Sequence, residues 1–287
     1  MTLKPKLYGL VGFPIKHSLS PRMHNAALAE LKIKARYKLF ELQVEQLEDF
    51  LNNLEKNNIR GFNVTIPYKE KVLPYLDIKS SGVREIGAVN TVVVTKDGKL
   101  KGFNTDFFGF IRHLKQLKVK PRNVAVIGAG GGAKAVCFAL GKSKVEEICI
   151  YDVDVFKSLR LVSHFKDMFS ETKFLAVARI EELNLGNKDL LVNASPVGMR
   201  ADDPCLIEDR MLHNNLFVYD LIYNPVETKL LTKAKKAGIG FSNGLGMLLY
   251  QGALSFEHFT GKKAPVEIMK TALEKACLLA GREVKKL

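Results

Sequence analysis

The sequence predicts an α/β protein of two domains, the second built on a doubly wound parallel sheet. At 287 residues the chain exceeds what one small core usually needs. From residue 123 onward, five short apolar runs (NVAVIG, EICIYD, KFLAVA, DLLVNA and LFVYDL) are separated by helical or loop lengths. Apolar strands alternating with helices pair in parallel. The composition, 47% hydrophobic and 26% charged, is that of a globular chain.

The first third alternates strand and helix patterns. Apolar residues 7–11 predict a strand, 21–31 a helix, 37–42 a strand, 45–56 a helix, and GFNVTIP (61–67) a strand. Ser20 before Pro21 marks a helix start, because serine can cap orphan amides and proline fits the first turn. Asp97-Gly98 between VNTVVV and KLKGF predicts a hairpin. From Asp106 the residues Phe107, Phe110, Ile111, Leu114 and Leu117 recur at helical spacing, and the domain boundary is placed along this helix. Two helices close the chain, at about 245–259 and 265–280, with Gly281 as the expected stop. The expected domains are 1–110, 111–244, and a C-terminal pair of helices, 245–287.

Composition narrows the function classes. The formal charge of +14 is spread through many segments without interleaved aromatics, so no nucleic-acid partner is expected. A positive field does favour anionic small molecules. No run approaches the ~20 apolar residues of a membrane helix, and no signal peptide is recognisable; a cytoplasmic protein with no membrane partner is expected. Cys137, Cys149, Cys205 and Cys277 are irregularly spaced, and the six histidines show no ligand spacing, so neither disulfides nor a metal are expected.

The run VAVIGAGGGAKAV places Gly128, Ala129, Gly130, Gly131, Gly132 and Ala133 after an apolar strand and ahead of a helix. That is the setting of a dinucleotide fingerprint: one glycine for the tight turn, one for backbone approach to a pyrophosphate, and helix amides facing the anion. A Rossmann-like domain follows. Asp152 ends the next strand, 24 residues beyond Gly128, where a carboxylate would accept from adenosine ribose hydroxyls. A 2′-phosphate there would meet negative charge, which favours NAD over NADP.

Outside the glycine turn, KHSLSPRMHN (16–25), FNVTIPYKEK (62–71), GAVNT (87–91) and GFNTD (102–106) are polar at strand ends and helix starts. Together with LIYNP (221–225) and GLGMLLYQG (244–252), and in this order, they resemble the shikimate dehydrogenase family over essentially the whole chain. The resemblance implies an N-terminal substrate domain, a nucleotide domain, and a C-terminal helix returning to the first domain. It implies reversible NAD(P)-dependent reduction of 3-dehydroshikimate to shikimate, in aromatic amino acid biosynthesis, by a monomer or homodimer.

By the same resemblance Lys69 and Asp106 are the catalytic pair, although Asp106 could also cap its helix. Reducing a ketone leaves negative charge on oxygen, so a proton donor must lie within reach. Ser18, Ser20 and Tyr223 would hold the substrate carboxylate, and Thr65, Asn90 and Gln251 its ring hydroxyls. NASPVGM (193–199), with Ala194 and Ser195, resembles a cofactor loop, and Leu221, Gly246 and Met247 match positions near the nicotinamide. One departure is plain. NADP-using members commonly carry an Asn-Arg-Thr type sequence after the second strand of the nucleotide domain, where this chain has Asp152, Val153 and Asp154. The alternatives are an NAD-dependent quinate/shikimate dehydrogenase, against which Ser20 leans, and a non-catalytic ligand sensor, against which both Lys69 and Asp106 are intact.

Overall fold

A computed structural model describes residues 5–284. The chain falls into two compact units, one running to Gly109 and resuming at Leu248, the other Phe110–Met247.

The first unit is built from β1 (Lys6–Gly12), α1 (Ser20–Glu30), β2 (Ala35–Glu41), α2 (Leu47–Asn52), β3 (Ile59–Val64), β4 (Ile78–Lys79), α3 (Ser81–Ile86), β5 (Thr91–Val94) and β6 (Leu100–Phe103). Its six-stranded sheet has the order β2-β1-β3-β5-β6-β4. β1 pairs in parallel with β2 and β3, whereas β5 is antiparallel to both β3 and β6. The predicted hairpin forms, with Gly98 at φ +81 in its turn. Phe62 and Tyr68 are fully buried in the core on one face of this sheet, each contributing on the order of 2 kcal/mol.

The expected 45–56 helix is instead a 3-10 turn, Val44–Gln46, followed by the short α2. Asparagines end it: Asn53 Nδ2 donates to the Asp49 carbonyl at 2.9 Å, Asn57 Nδ2 to the Asn53 carbonyl at 3.0 Å, and Asn58 takes φ +54. Such local bonds compete with the helical ladder. The capping role expected of Ser20 also falls one residue off. Leu19 is the N-cap, Ser20 is already helical, and Ser18 Oγ accepts from the Ser20 amide at 3.3 Å.

α4 (Asp106–Gln116) leads into the second unit, whose elements are β7 (Asn123–Ile127), α5 (Gly131–Lys142), β8 (Glu147–Tyr151), α6 (Val155–Phe165), β9 (Lys173–Val177), β10 (Leu190–Asn193), β11 (Phe217–Asp220), α7 (Lys229–Lys236) and β12 (Phe241–Ser242). The order β12-β11-β10-β7-β8-β9 is parallel throughout. Chain order thus reverses direction at β7, and the crevice beyond strand ends at such a reversal is where α/β sheets bind ligands.

α8 (Leu245–Thr260) and α9 (Val266–Val284) follow, and α9 packs on α1. α9 continues through Gly281, where a stop was expected. Glycine in a helix costs about 1 kcal/mol but does not end it. Of the basic residues that follow the last apolar helix pattern, Lys285 and Lys286 lie outside the described residues. Among the described residues no helix is long and apolar enough to cross a membrane, and no group of three His, Cys, Asp or Glu side chains could hold a metal ion.

Candidate active site

Strand direction assembles the polar cluster of the first unit. β3 ends where β5 begins and where β6 ends, because β5 runs antiparallel to both. Residues just after β3, just before β5 and just after β6 therefore lie together at one end of these strands. They are Lys69, Asn90 and Asp106.

Lys69 is held through its backbone. Its carbonyl accepts from the Val89 amide at 2.8 Å, and the preceding Tyr68 is fully buried. Its ammonium pairs with Asp106 Oδ2, and the two side chains are 16% and 7% exposed. Asp106 opens α4, and its amide donates to Asn104 Oδ1 at 3.1 Å, so the capping acceptor is Asn104. The second carboxylate oxygen, Oδ1, accepts from Asn90 Nδ2 at 2.8 Å.

Asn90 is the hub of the cluster. Its Oδ1 accepts from the Thr105 amide at 2.7 Å, a backbone donor that fixes which way the side-chain amide faces. Nδ2 then reaches Asp106, Thr105 Oγ1 at 2.9 Å and Gln251 Oε1 at 3.2 Å. Beneath it lies a layer that sequence reasoning missed. Asn63 Nδ2 donates toward the Asn90 carbonyl, Thr91 Oγ1 and Ser255 Oγ, and Tyr37 donates its hydroxyl proton to Asn63 Oδ1 at 2.8 Å. The available signal was polarity inside strand-like motifs, since Asn63, Thr91 and Thr105 all lie within segments singled out above.

Among the described residues, no hydrogen bond joins Ser18, Ser20 or Thr65 to the Lys69 and Asp106 pair. They lie at the same end of the sheet, where the Thr65 amide donates to the Val11 carbonyl at 2.9 Å beyond the parallel ends of β1 and β3. Ser20 is buried, and Ser18 and Thr65 are half-buried.

In the second unit the glycine turn is crowded on one side and open on another. Gly128 has φ +99, and a Cβ there would lie 2.9 Å from the Ser195 amide and 3.0 Å from Ala194. Gly130 caps α5, and a Cβ on it would meet nothing within 4 Å, which leaves room for a ligand's phosphates beside the first amides of the helix. Gly131 and Gly132 open that helix, and Ala133 is buried within it. Leu221 lies near Gly132, 3.5 Å from where its Cβ would be.

Asp152 is tied to this turn. Oδ2 accepts from the Ala129 amide at 2.7 Å and Oδ1 from the Asp154 amide at 2.9 Å. Val153 is 92% exposed beside them, and Asp154 caps α6. Tyr223 is half-buried on the loop after β11. Gly246 and buried Met247 open α8 against His113: a Cβ on Gly246 would lie 2.2 Å from the His113 ring. His113 Nδ1 is 2.6 Å from the hydroxyl of buried Tyr219, and burial lowers the histidine and raises the tyrosine.

A further missed cluster is centred on Asp220, at the end of β11. This fully buried carboxylate accepts from Asn193 Nδ2 at 3.0 Å, the Ile222 amide at 3.1 Å and Thr228 Oγ1 at 2.7 Å. Asn193 Oδ1 in turn accepts from both the amide and the hydroxyl of Ser195. The cluster ties the loops carrying Ala194, Ser195 and Leu221. Burial pushes Asp220 up to about 6, opposed by its three donors.

Residues 10–92 match the shikimate dehydrogenase substrate binding domain, and residues 244–274 match the shikimate 5'-dehydrogenase C-terminal domain. A shikimate dehydrogenase (NADP(+)) of Methanopyrus kandleri is 43% identical over 92% of this chain and 93% of its own length. This chain belongs to the shikimate dehydrogenase family. The family's solved structures include a shikimate dehydrogenase in complex with NADP+, 38% identical, with TM-score 0.86 over 95% of this chain and 96% of that one. They also include the quinate dehydrogenase of Corynebacterium glutamicum in complex with NAD, 30% identical, with TM-score 0.85 over 94% and 99%. As a member of the family the chain is an NAD(P)-dependent oxidoreductase.

Proposed function

We propose that the protein is a shikimate dehydrogenase in which Lys69 and Asp106 move the proton and NAD is the preferred cofactor. The observation that carries this is the paired ammonium and carboxylate at the strand ends, with the carboxylate's other oxygen held by Asn90. NAD(P) supplies the hydride acceptor or donor when bound. In alcohol oxidation the pair takes the hydroxyl proton as the C–H electrons leave; in ketone reduction it returns a proton to the developing alkoxide.

Ser18, Ser20 and Tyr223 are proposed to hold the substrate carboxylate, and Thr65, Asn90 and Gln251 the ring hydroxyls. Asn90, with its amide protons directed at Asp106, Thr105 and Gln251, also orients those groups. A site with this many polar partners rejects analogues that lack the matching hydroxyls, because its own groups would be stranded.

The proposed dinucleotide contacts are residues 128–133, Asp152, Ala194, Ser195, Leu221, Gly246 and Met247. The open cradle at Gly130 suits a pyrophosphate. The NAD preference rests on Asp152 and Asp154 flanking exposed Val153, which put two carboxylates and no arginine at positions 152–154, with Lys157 3.9 Å from Asp154. Initial rates with two cofactors and two substrates, shikimate and quinate, test the reading. Shikimate with NAD is expected to be best. Comparable specificity constants for quinate would make the protein a quinate/shikimate dehydrogenase, and no reduced cofactor with either substrate would leave a ligand-binding protein without turnover.

A further inference from the structure

Ser255 lies on α8, one helical turn after Gln251, and is fully buried. Its hydroxyl has four polar neighbours: the Gln251 carbonyl at 2.9 Å, Asn63 Nδ2 at 2.9 Å, Thr91 Oγ1 at 2.8 Å and Thr105 Oγ1 at 3.0 Å. A hydroxyl offers one proton and two lone pairs, so only certain orientations of the layer satisfy every neighbour.

The Ser255 hydroxyl donates to the Gln251 carbonyl, one helical turn back. Its two lone pairs then accept from Thr91 and Thr105, while Asn63 directs its two amide protons at the Asn90 carbonyl and Thr91 Oγ1. This matters at Asn90. Its Oδ1 has two lone pairs and three donors around it: the Thr105 amide at 2.7 Å, Thr91 Oγ1 at 3.0 Å and Thr105 Oγ1 at 3.2 Å. With Ser255 accepting from Thr91 and Thr105, the Thr105 amide is the donor left to Asn90 Oδ1, and the crowding is relieved. The Thr105 lone pairs then stay turned toward Asn90 Nδ2, which holds Asp106 Oδ1.

We propose that Ser255 is a positioning residue for the hydride-transfer reaction: by taking the Thr105 proton it sets the orientation of the Asn90 amide, and through it the carboxylate of Asp106. This rests on the role proposed above for Asp106. Without the serine hydroxyl, Thr105 must direct its proton to the crowded Asn90 oxygen or to Gln251 Oε1 at 3.4 Å. Either choice loosens the amide that orients the proton-transfer pair, and a buried donor left unmade is costly.

The test is Ser255→Ala in the full chain, assayed for shikimate oxidation with NAD alongside the parent. The expected result is a kcat about tenfold lower with the KM for NAD within about twofold, equivalent to roughly 1.4 kcal/mol in the barrier. In an Asn90→Ala background the same substitution should change kcat less than about twofold, because its effect runs through Asn90. A kcat within twofold of the parent, or an undiminished loss in the Asn90→Ala background, overturns the proposal. If Ser255→Ala does not fold, Thr105→Val carries the test by removing the hydroxyl that links the two residues, and near-parental kcat there overturns it equally. A parent enzyme that oxidises no shikimate would instead overturn the proposed function.

Discussion

The two units each bury a carboxylate at the end of a strand, and the two are treated in opposite ways. Asp106 is 5% exposed and has Lys69 against one oxygen and an amide against the other. Asp220 is fully buried, and among the described residues no cation pairs with it; its three donors are neutral. Burial without a cation lifts Asp220 to about 6, which Asn193, Thr228 and the Ile222 amide only partly offset. Burial alone therefore does not mark a reactive carboxylate. The partner separates the two: Asp106 meets the ammonium of Lys69, the pair proposed above to move the proton, and Asp220 meets neutral donors that bracket its loops.

The sharpest test of the contrast is at the pair. Lys69→Ala should lower kcat by about a thousandfold, within the usual range for a positioned acid or base, and leave shikimate binding largely intact by calorimetry. Turnover near the parent's would remove the distinction between the two carboxylates.

Asp220→Asn should leave turnover within a few-fold and reveal itself in stability. A carboxyl raised from 3.8 to about 6 in the fold costs about 3 kcal/mol once both states are ionised, since each unit is worth about 1.4 kcal/mol. The sign follows: the cost is absent below the unfolded value of 3.8, grows as pH rises, and is complete above about 6. Urea melts of parent and variant should therefore diverge in the variant's favour between pH 4 and 7. A pH-independent difference would contradict this account.

The first unit should show the reverse dependence through His24. Buried and stacked on Tyr37 with centroids 4.2 Å apart, its ring nitrogens have no partner among the described residues, and burial lowers it from 6.5 to about 3. Neutral His24 thus supports folding fully above pH 6.5, and that support is lost as pH falls toward 3, by about 1.4 kcal/mol per unit. His24→Phe should flatten this acid limb in chemical denaturation, and an unchanged slope would assign it to other groups.

The smallest expected effect is in cofactor choice. With Asp152 and Asp154 beside Val153, kcat/KM should favour NAD over NADP by about tenfold, or roughly 1.4 kcal/mol, and Val153→Arg should narrow the ratio. Equal specificity for the two cofactors would mean that these carboxylates do not face the 2′ position.

Much of the architecture was legible because its signals are local. The hairpin announced itself in Asp97-Gly98, the parallel sheet in its five apolar runs, and the glycine turn in its place between strand and helix. Where local signals competed, the reading slipped. Asn53 and Asn57 end α2 early by bonding nearby backbone, Asn58 follows at φ +54, and the leucine before Ser20 holds the cap position. The two-residue strands β4 and β12 are too short to show any periodicity.

By itself the sequence determined the order of elements, the glycine-rich turn with its acidic residue, and the motifs that point to the family, since each depends on residues adjacent along the chain. Only the tertiary structure decided which polar side chains meet. Asn63, Thr91, Thr105 and Ser255 come from three strand ends and a distant helix, and Asn193, Asp220 and Thr228 from two strands and a helix cap. Their bonds arise because strand pairing and burial leave them no water, so each must find its partner across long stretches of chain.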